Sequence, residues 1–119
     1  MANTNPTPNA DLKSMHGDLL ALNQKLSKSL DDITDAALAR AVVTEMREVV
    51  HRIDLVQGLL FAASARKISD AAKAVDQANL QALDSLDQIK TVTGVVKTVT
   101  GVLTLVDKAI DIAKTLAIA

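Results

Sequence analysis

The chain of 119 residues carries 13 basic and 14 acidic side chains, two histidines and no cysteine. One domain of this length buries roughly two-thirds of the surface of its unfolded chain, so a single core is within reach. The missing thiols exclude disulfides, and the balanced charge provides no field that attracts nucleic acid. Because Phe61 is the only aromatic residue, the core is aliphatic, which favours closely packed helices over a sheet.

Residues 1–9 consist largely of Asn, Thr and Pro, with little to bury, and we expect them to form a flexible tail. They lack the basic start and apolar centre of a secretory signal. No apolar run approaches the roughly 20 residues that a membrane-spanning helix needs. We therefore expect a cytoplasmic protein, unless a dedicated secretion system exports it, with residues 10–119 forming one helical domain.

The first two predicted helices follow from apolar residues that recur every three or four positions. The first covers residues 10–31, is capped by Asn9 or Asp11, and has an apolar face of Leu12, Met15, Leu19, Leu22 and Leu26. The second covers residues 35–65, and its face consists of Ala39, Val42, Met46, Val49, Ile53, Val56, Leu60 and Ala63. Thr34 or Asp35 is its expected cap. Because residues 59–63 are apolar nearly all round, we expect that end of the helix at the centre of the bundle or against a partner.

The last two predicted helices cover residues 69–89 and 92–118, after a turn at residues 64–69. Four aspartates against one lysine in residues 69–89, and four lysines against two aspartates in the remaining chain, favour folding the fourth helix onto the third. The sequence thus predicts an all-α, antiparallel up-and-down four-helix bundle. Because the apolar pattern runs in phase across residues 89–93, three helices remain an alternative. The last helix would then have about 50 residues, be coiled-coil-like and be completed by oligomerisation.

The fourth predicted helix has the most regular pattern in the chain, and residues 91–97 are nearly repeated in residues 98–104. Its apolar a and d positions span four heptads: Ile89, Val92, Val96, Val99, Leu103, Val106, Ile110, Ala113 and Ala117. The g positions widen this face with Val95, Val102, Ala109 and Leu116. Valine, threonine and glycine are poor helix formers, so we expect this helix to depend on tertiary packing.

A second surface of the fourth helix, called the candidate docking surface below, occupies c and f positions and consists of Gly94, Thr98, Gly101, Leu105 and Ile112. One interpretation is a tolerated solvent-exposed side. The other is a contact surface, where missing side chains let another helix approach closely. Under the second interpretation, Leu105→Lys or Ile112→Lys disrupts assembly and leaves helicity intact.

No residue pattern points to catalysis, a cofactor or a metal. Glu48 and His51 have the Glu-x-x-His spacing of di-iron bundles, but the chain has no second such pair, and both fall away from the apolar face. His16 has no matching ligand at helical spacing. The arginines of the second helix stand beside acidic residues, which argues against nucleic-acid binding. We expect neither an enzyme nor a cofactor.

The sequence therefore predicts a structural or interaction protein that self-associates, or docks on a larger helical partner, through its C-terminal heptad helix. The alternative is a membrane-active protein, either pore-forming or lipid-binding, whose Val/Thr/Gly-rich residues 91–106 are buried until they insert. The missing aromatic belt counts against this alternative.

Overall fold

The computed structural model describes residues 8–62, 65–88 and 90–118, which form four packed α-helices and a short 3-10 helix without any strand. The helices are, in chain order, α1 (Ala10–Ser29), the 3-10 helix (Leu30–Asp32), α2 (Ala36–Gln57), α3 (Arg66–Leu86) and α4 (Val92–Ile118). The predicted all-α four-helix bundle is confirmed. The alternative with one long C-terminal helix is wrong, because the chain leaves helical geometry between α3 and α4.

Side-chain caps begin α1 and α2, at one of the two residues predicted for each. The Asn9 side-chain oxygen accepts hydrogen bonds from the backbone N–H groups of Asp11 (2.9 Å) and Leu12 (3.1 Å). Asp35 accepts in the same way from Ala37 (2.8 Å) and Leu38 (3.2 Å). These bonds satisfy donors that the first turn of a helix otherwise leaves without partners.

Asn9 also corrects the predicted extent of the tail, because this residue is buried. Its backbone N–H donates to the carbonyl of Leu60 (2.6 Å), and its side-chain nitrogen donates to the carbonyl of Ala62 (3.3 Å). The start of α1 is thereby attached to the turn that follows α2. Residues 1–7 of the predicted tail lie outside the described residues.

The structure ends α2 at Gln57 instead of residue 65, and begins α3 at Arg66 instead of residue 69. Two causes end α2 early. Gly58 is a poor helix former, and Asn9 donates hydrogen bonds to the carbonyl groups of Leu60 and Ala62, which follow Gly58. Of the two locations predicted for residues 59–63, the bundle centre is wrong for Phe61, which is 61% exposed. A location against a partner stays a prediction. Ala63, and the predicted turn residue Ser64, lie outside the described residues.

The four helices occupy the corners of a square in which sequence neighbours are not always spatial neighbours. α1 packs on α2 and α3, and α4 packs on α3 and α2. Consecutive helices run in opposite directions, so the pairs α1/α3 and α2/α4 are parallel neighbours. The connection from α2 to α3 therefore crosses one end of the bundle diagonally.

The core is aliphatic, as expected, and α4 contributes the largest share of it: Val95, Val99, Val102, Leu103, Val106, Ala109, Ile110 and Ala113. The heptad prediction is wrong at the start of this helix, where Val92 and Val96 are 41% and 37% exposed. There the g position Val95 points inward instead, toward Leu38 and Leu86. Ile89, and the side chain of Ala117, lie outside the described residues.

Candidate helix-docking surface

The candidate docking surface lies along the flank of α4 that faces α3, not opposite the core as its c and f positions predicted. Gly101 is exposed, whereas Leu105 and Ile112 are half-buried and pack against the core. Three of the four g residues of α4, Val95, Val102 and Ala109, are buried and turn its core face toward α3, whereas Leu116 is 37% exposed. The neighbouring c positions Leu105 and Ile112 therefore lie at the edge of the core. Leu105 and Ile112 therefore help to hold the bundle together, and substituting them would test stability as much as assembly.

Gly94 and Thr98, the other two residues of the surface, have separate surroundings. The backbone N–H of Gly94 donates to the side-chain oxygen of Thr91 (3.0 Å), so Gly94 belongs to the capped first turn of α4. Thr98 is half-buried, one turn further along. The structure thus divides the five predicted residues into a capped turn, two core-edge residues, and the pair Thr98 and Gly101.

Thr98 and Gly101 line a shallow groove of about 250 Å³ between α3 and α4. Three of its five other lining residues are small, namely Ala78, Ala82 and Ser85, and the remaining two are Gln81 and Val102. A β-carbon placed on Gly101 would meet no atom within 4 Å, so the space above this glycine is open. No described glycine has a positive φ angle, and the backbone of Gly101 is therefore one that any residue can adopt.

In the described chain, the ion pairs that join two helices lie between parallel neighbours, and not in this groove between α3 and α4. Lys25 of α1 pairs with Asp87 just beyond α3, and Arg52 of α2 pairs with Asp107 of α4. No ion pair of the described residues joins the opposite charges of α3 and α4. Apolar packing holds α4 on α3, and none of the described residues that line the groove is charged.

A larger hollow of about 420 Å³ lies at the end of the bundle where α1 and α3 finish. Its apolar floor consists of core residues such as Leu86 and Val95, which are less than a tenth exposed. Two rim carboxylates are already engaged, Asp35 as the cap of α2 and Asp87 with Lys25. Lys28, Asp32, Thr34 and Lys90 also line the hollow. We follow the smaller groove because two of the predicted site residues, Thr98 and Gly101, line it.

Glu48 and His51, which have the Glu-x-x-His spacing, are both exposed, and Glu48 accepts a hydrogen bond from Arg52. Over the ranges that the structure describes, no three His, Cys, Asp or Glu side chains come together as a metal site would require. None of the described helices combines the length and apolar character needed to cross a bilayer.

The α3 side of the groove could not be assigned from sequence. Ala78, Ala82 and Ser85 stand on one predicted helix face, but small residues at that spacing carry no motif, and only the fold places them beside Gly101.

Comparison with known proteins adds no relative, since no family model, no curated protein and no solved structure matches the chain. Functional inference therefore depends on the bundle itself.

Proposed function

We propose that this chain is a non-enzymatic interaction protein whose α3/α4 groove accepts a helix from a second copy of the chain, or from a larger helical partner. The observation that carries the proposal is Gly101, an exposed glycine in mid-helix that faces open space in a groove of small residues. Helices pack with their axes about 8–10 Å apart, and small side chains allow the closest approach.

The energetics of Gly101 support this interpretation. A mid-helix glycine costs about 1 kcal/mol relative to alanine. Packing within the bundle does not require a glycine at position 101, because a β-carbon would fit there and the backbone is ordinary. A helix that docks in the groove would require a glycine, since any side chain at position 101 would stand between the two backbones.

Absolute mass, measured by light scattering behind a sizing column over a hundredfold concentration range, tests the proposal. We expect the wild-type mass to rise above the 12.6 kDa of one chain as concentration increases. Gly101→Gln places a side chain in the groove, where its β-carbon would meet no atom within 4 Å, and should return the mass toward that of the monomer. Its matched control is Gly17→Gln, because Gly17 is an exposed glycine of α1 that also has open space around it.

Both substitutions replace glycine by a better helix former, so each should raise the free energy of unfolding by about 0.5–1 kcal/mol. A loss of assembly in Gly101→Gln alone therefore cannot come from unfolding. Equal masses for the two variants would contradict a role for the groove. A wild-type chain that stays monomeric throughout would contradict self-association.

A membrane-active role for residues 91–106 ranks second. The exposed Val92 and Val96 at the start of α4 are the observation in its favour. Against it, the later valines of this segment, such as Val99 and Val106, belong to the core, so insertion requires the bundle to open. Dye release from anionic lipid vesicles measures this activity directly, and intact vesicles at both neutral and acidic pH would contradict it.

A further inference from the structure

We propose that Asp18 of α1 and Asp76 of α3 share one proton, and that its release as pH rises weakens the packing of α3 on α1. This inference is independent of the groove on α4. It concerns a pair of carboxyl groups that meet across one of the two parallel interfaces.

The geometry of the pair calls for a proton. The Oδ2 atom of Asp18 is shielded from solvent and accepts no hydrogen bond from any N–H or hydroxyl group of the described chain. The carboxyl groups of Asp18 and Asp76 lie within hydrogen-bonding reach of each other. Because an ionised carboxylate has acceptors only, two such groups can bond to each other only when one of them carries a proton.

Asn79, one turn beyond Asp76, supplies no compensation. Its side chain is 2% exposed, and its amide nitrogen donates to the main-chain oxygen of Asp18 (3.1 Å) instead of to the carboxylate. Its Oδ1 atom is buried and accepts no hydrogen bond within the described chain. A second buried acceptor beside the pair disfavours negative charge there even further.

Within the described residues, neither Asp18 nor Asp76 forms an ion pair. On α3, Lys73 stands one turn before Asp76 and is exposed. On α1, the half-buried His16 stands two residues before Asp18, and Lys25, two turns after Asp18, is engaged with Asp87. The buried Glu45 of α2, and the linked ion pairs of Arg52 with Glu48 and Asp107, lie across the bundle at the other parallel interface.

Burial, and then Asp76 beside it, raise the pKa of Asp18 from 3.8 to about 7. The folded chain therefore keeps this proton up to neutral pH, whereas the unfolded chain releases it near pH 4. Between these values the folded state binds more protons, so stability falls as pH rises. The contribution is complete below about pH 4 and is lost by the time the pH has passed through 7.

Melting curves of Asp18→Asn and the wild type, recorded at pH 4.5 and pH 8 with EDTA present to remove divalent cations, test the proposal. The substitution keeps the size of the side chain and removes one charge, so at pH 8 we expect a melting temperature about 5 °C higher than that of the wild type. At pH 4.5 the wild-type pair carries its proton, and the advantage should nearly disappear. Asp76→Asn should behave in the same way.

Asp84→Asn is the matched control, because Asp84 is an exposed aspartate on α3, the helix that carries Asp76. It should give the same small shift at both pH values. All variants retain His16 and His51, so any contribution of the histidines cancels in each comparison with the wild type. A shift for Asp18→Asn that is equal at pH 4.5 and pH 8 would overturn the shared proton.

A second measurement needs no variant and so does not depend on how well the variants fold. The chemical shift of the Asp18 carboxyl carbon, followed by NMR in the wild-type chain, should titrate with a midpoint near pH 7. A midpoint near pH 4 would show that the two carboxyl groups ionise independently, and the proposal would fail.

Discussion

Arg52 joins α2 to α4 through a geometry that a lysine cannot reproduce. Its Nε and Nη2 atoms donate to the two carboxylate oxygens of Asp107 at 3.0 and 3.2 Å, and Nη1 donates to Glu48. The Arg52 side chain is only 18% exposed, so water competes weakly for these bonds. Lys25 makes one contact with Asp87, and its partner is 59% exposed. The two ion pairs between parallel helices therefore differ in strength.

We expect Arg52→Lys to lower the free energy of unfolding by about 1 kcal/mol, although it keeps the charge, because the bidentate fork is lost. Lys25→Gln removes a charge from a more exposed pair and should cost less than about 0.5 kcal/mol. Urea unfolding of both variants measures the difference. The expectation fails if the conservative arginine change proves the milder of the two.

At the scale of the elements, the caps of α1 and α2 use similar side chains in different surroundings. Asp35 is exposed and bonds only the first turn of its own helix. Asn9 is buried, and its side chain bonds both the first turn of α1 and the carbonyl of Ala62 after α2. Asn9 thus stabilises a helix start and a chain turn together, which explains why α2 ends where it does.

Removing these caps should therefore have unequal costs. Asp35→Ala should lower the free energy of unfolding by about 1 kcal/mol, the usual value for a lost cap. Asn9→Ala should cost about 2 kcal/mol, because the half-buried carbonyl of Ala62 also loses a donor. Asp31→Ala, in the exposed 3-10 helix, is the control without a cap. Equal costs for Asn9 and Asp35 would show that the bond to Ala62 contributes nothing measurable.

One aliphatic core stabilises the whole molecule, and the centre of α4 contributes fully buried residues to it. Val99 is fully buried, whereas Val96, one turn earlier on the same helix, is 37% exposed. The heptad pattern gives both valines the same status. The bundle distinguishes them, because its core at the start of α4 is built around Val95.

Val99→Asp should abolish the cooperative unfolding transition, because burying an unpaired carboxylate costs several kcal/mol and a domain of this size has only about 5–15 kcal/mol of stability. Val96→Asp, with the same chemistry at an exposed position, should keep a sigmoidal melting curve close to that of the wild type. Circular dichroism during heating distinguishes the two. Similar curves would mean that the two valines are equally buried in solution.

Periodicity predicts the fold class and most of the core, because helical spacing depends on residues close in the sequence, as in the face from Leu12 to Leu26. Periodicity does not predict features that depend on residues far apart in the sequence. The bond from Asn9 to Ala62 joins residues 53 positions apart, and the bond from Asn79 to Asp18 joins residues 61 apart. The groove could not be predicted for the same reason, since no pattern of neighbouring residues places α3 beside Gly101.

The diagonal connection from α2 to α3 has a consequence for how the chain folds. α1 with α2, and α3 with α4, are hairpins closed by short connections, whereas the ion pairs between parallel helices join residues 62 and 55 positions apart. Short loops close at the smallest entropic cost, so we expect the hairpins to form first and then dock side by side. A hairpin can equally dock on its counterpart from another chain, which gives an exchanged dimer with unchanged contacts. Such a dimer would survive Gly101→Gln, and that resistance distinguishes it from assembly through the groove.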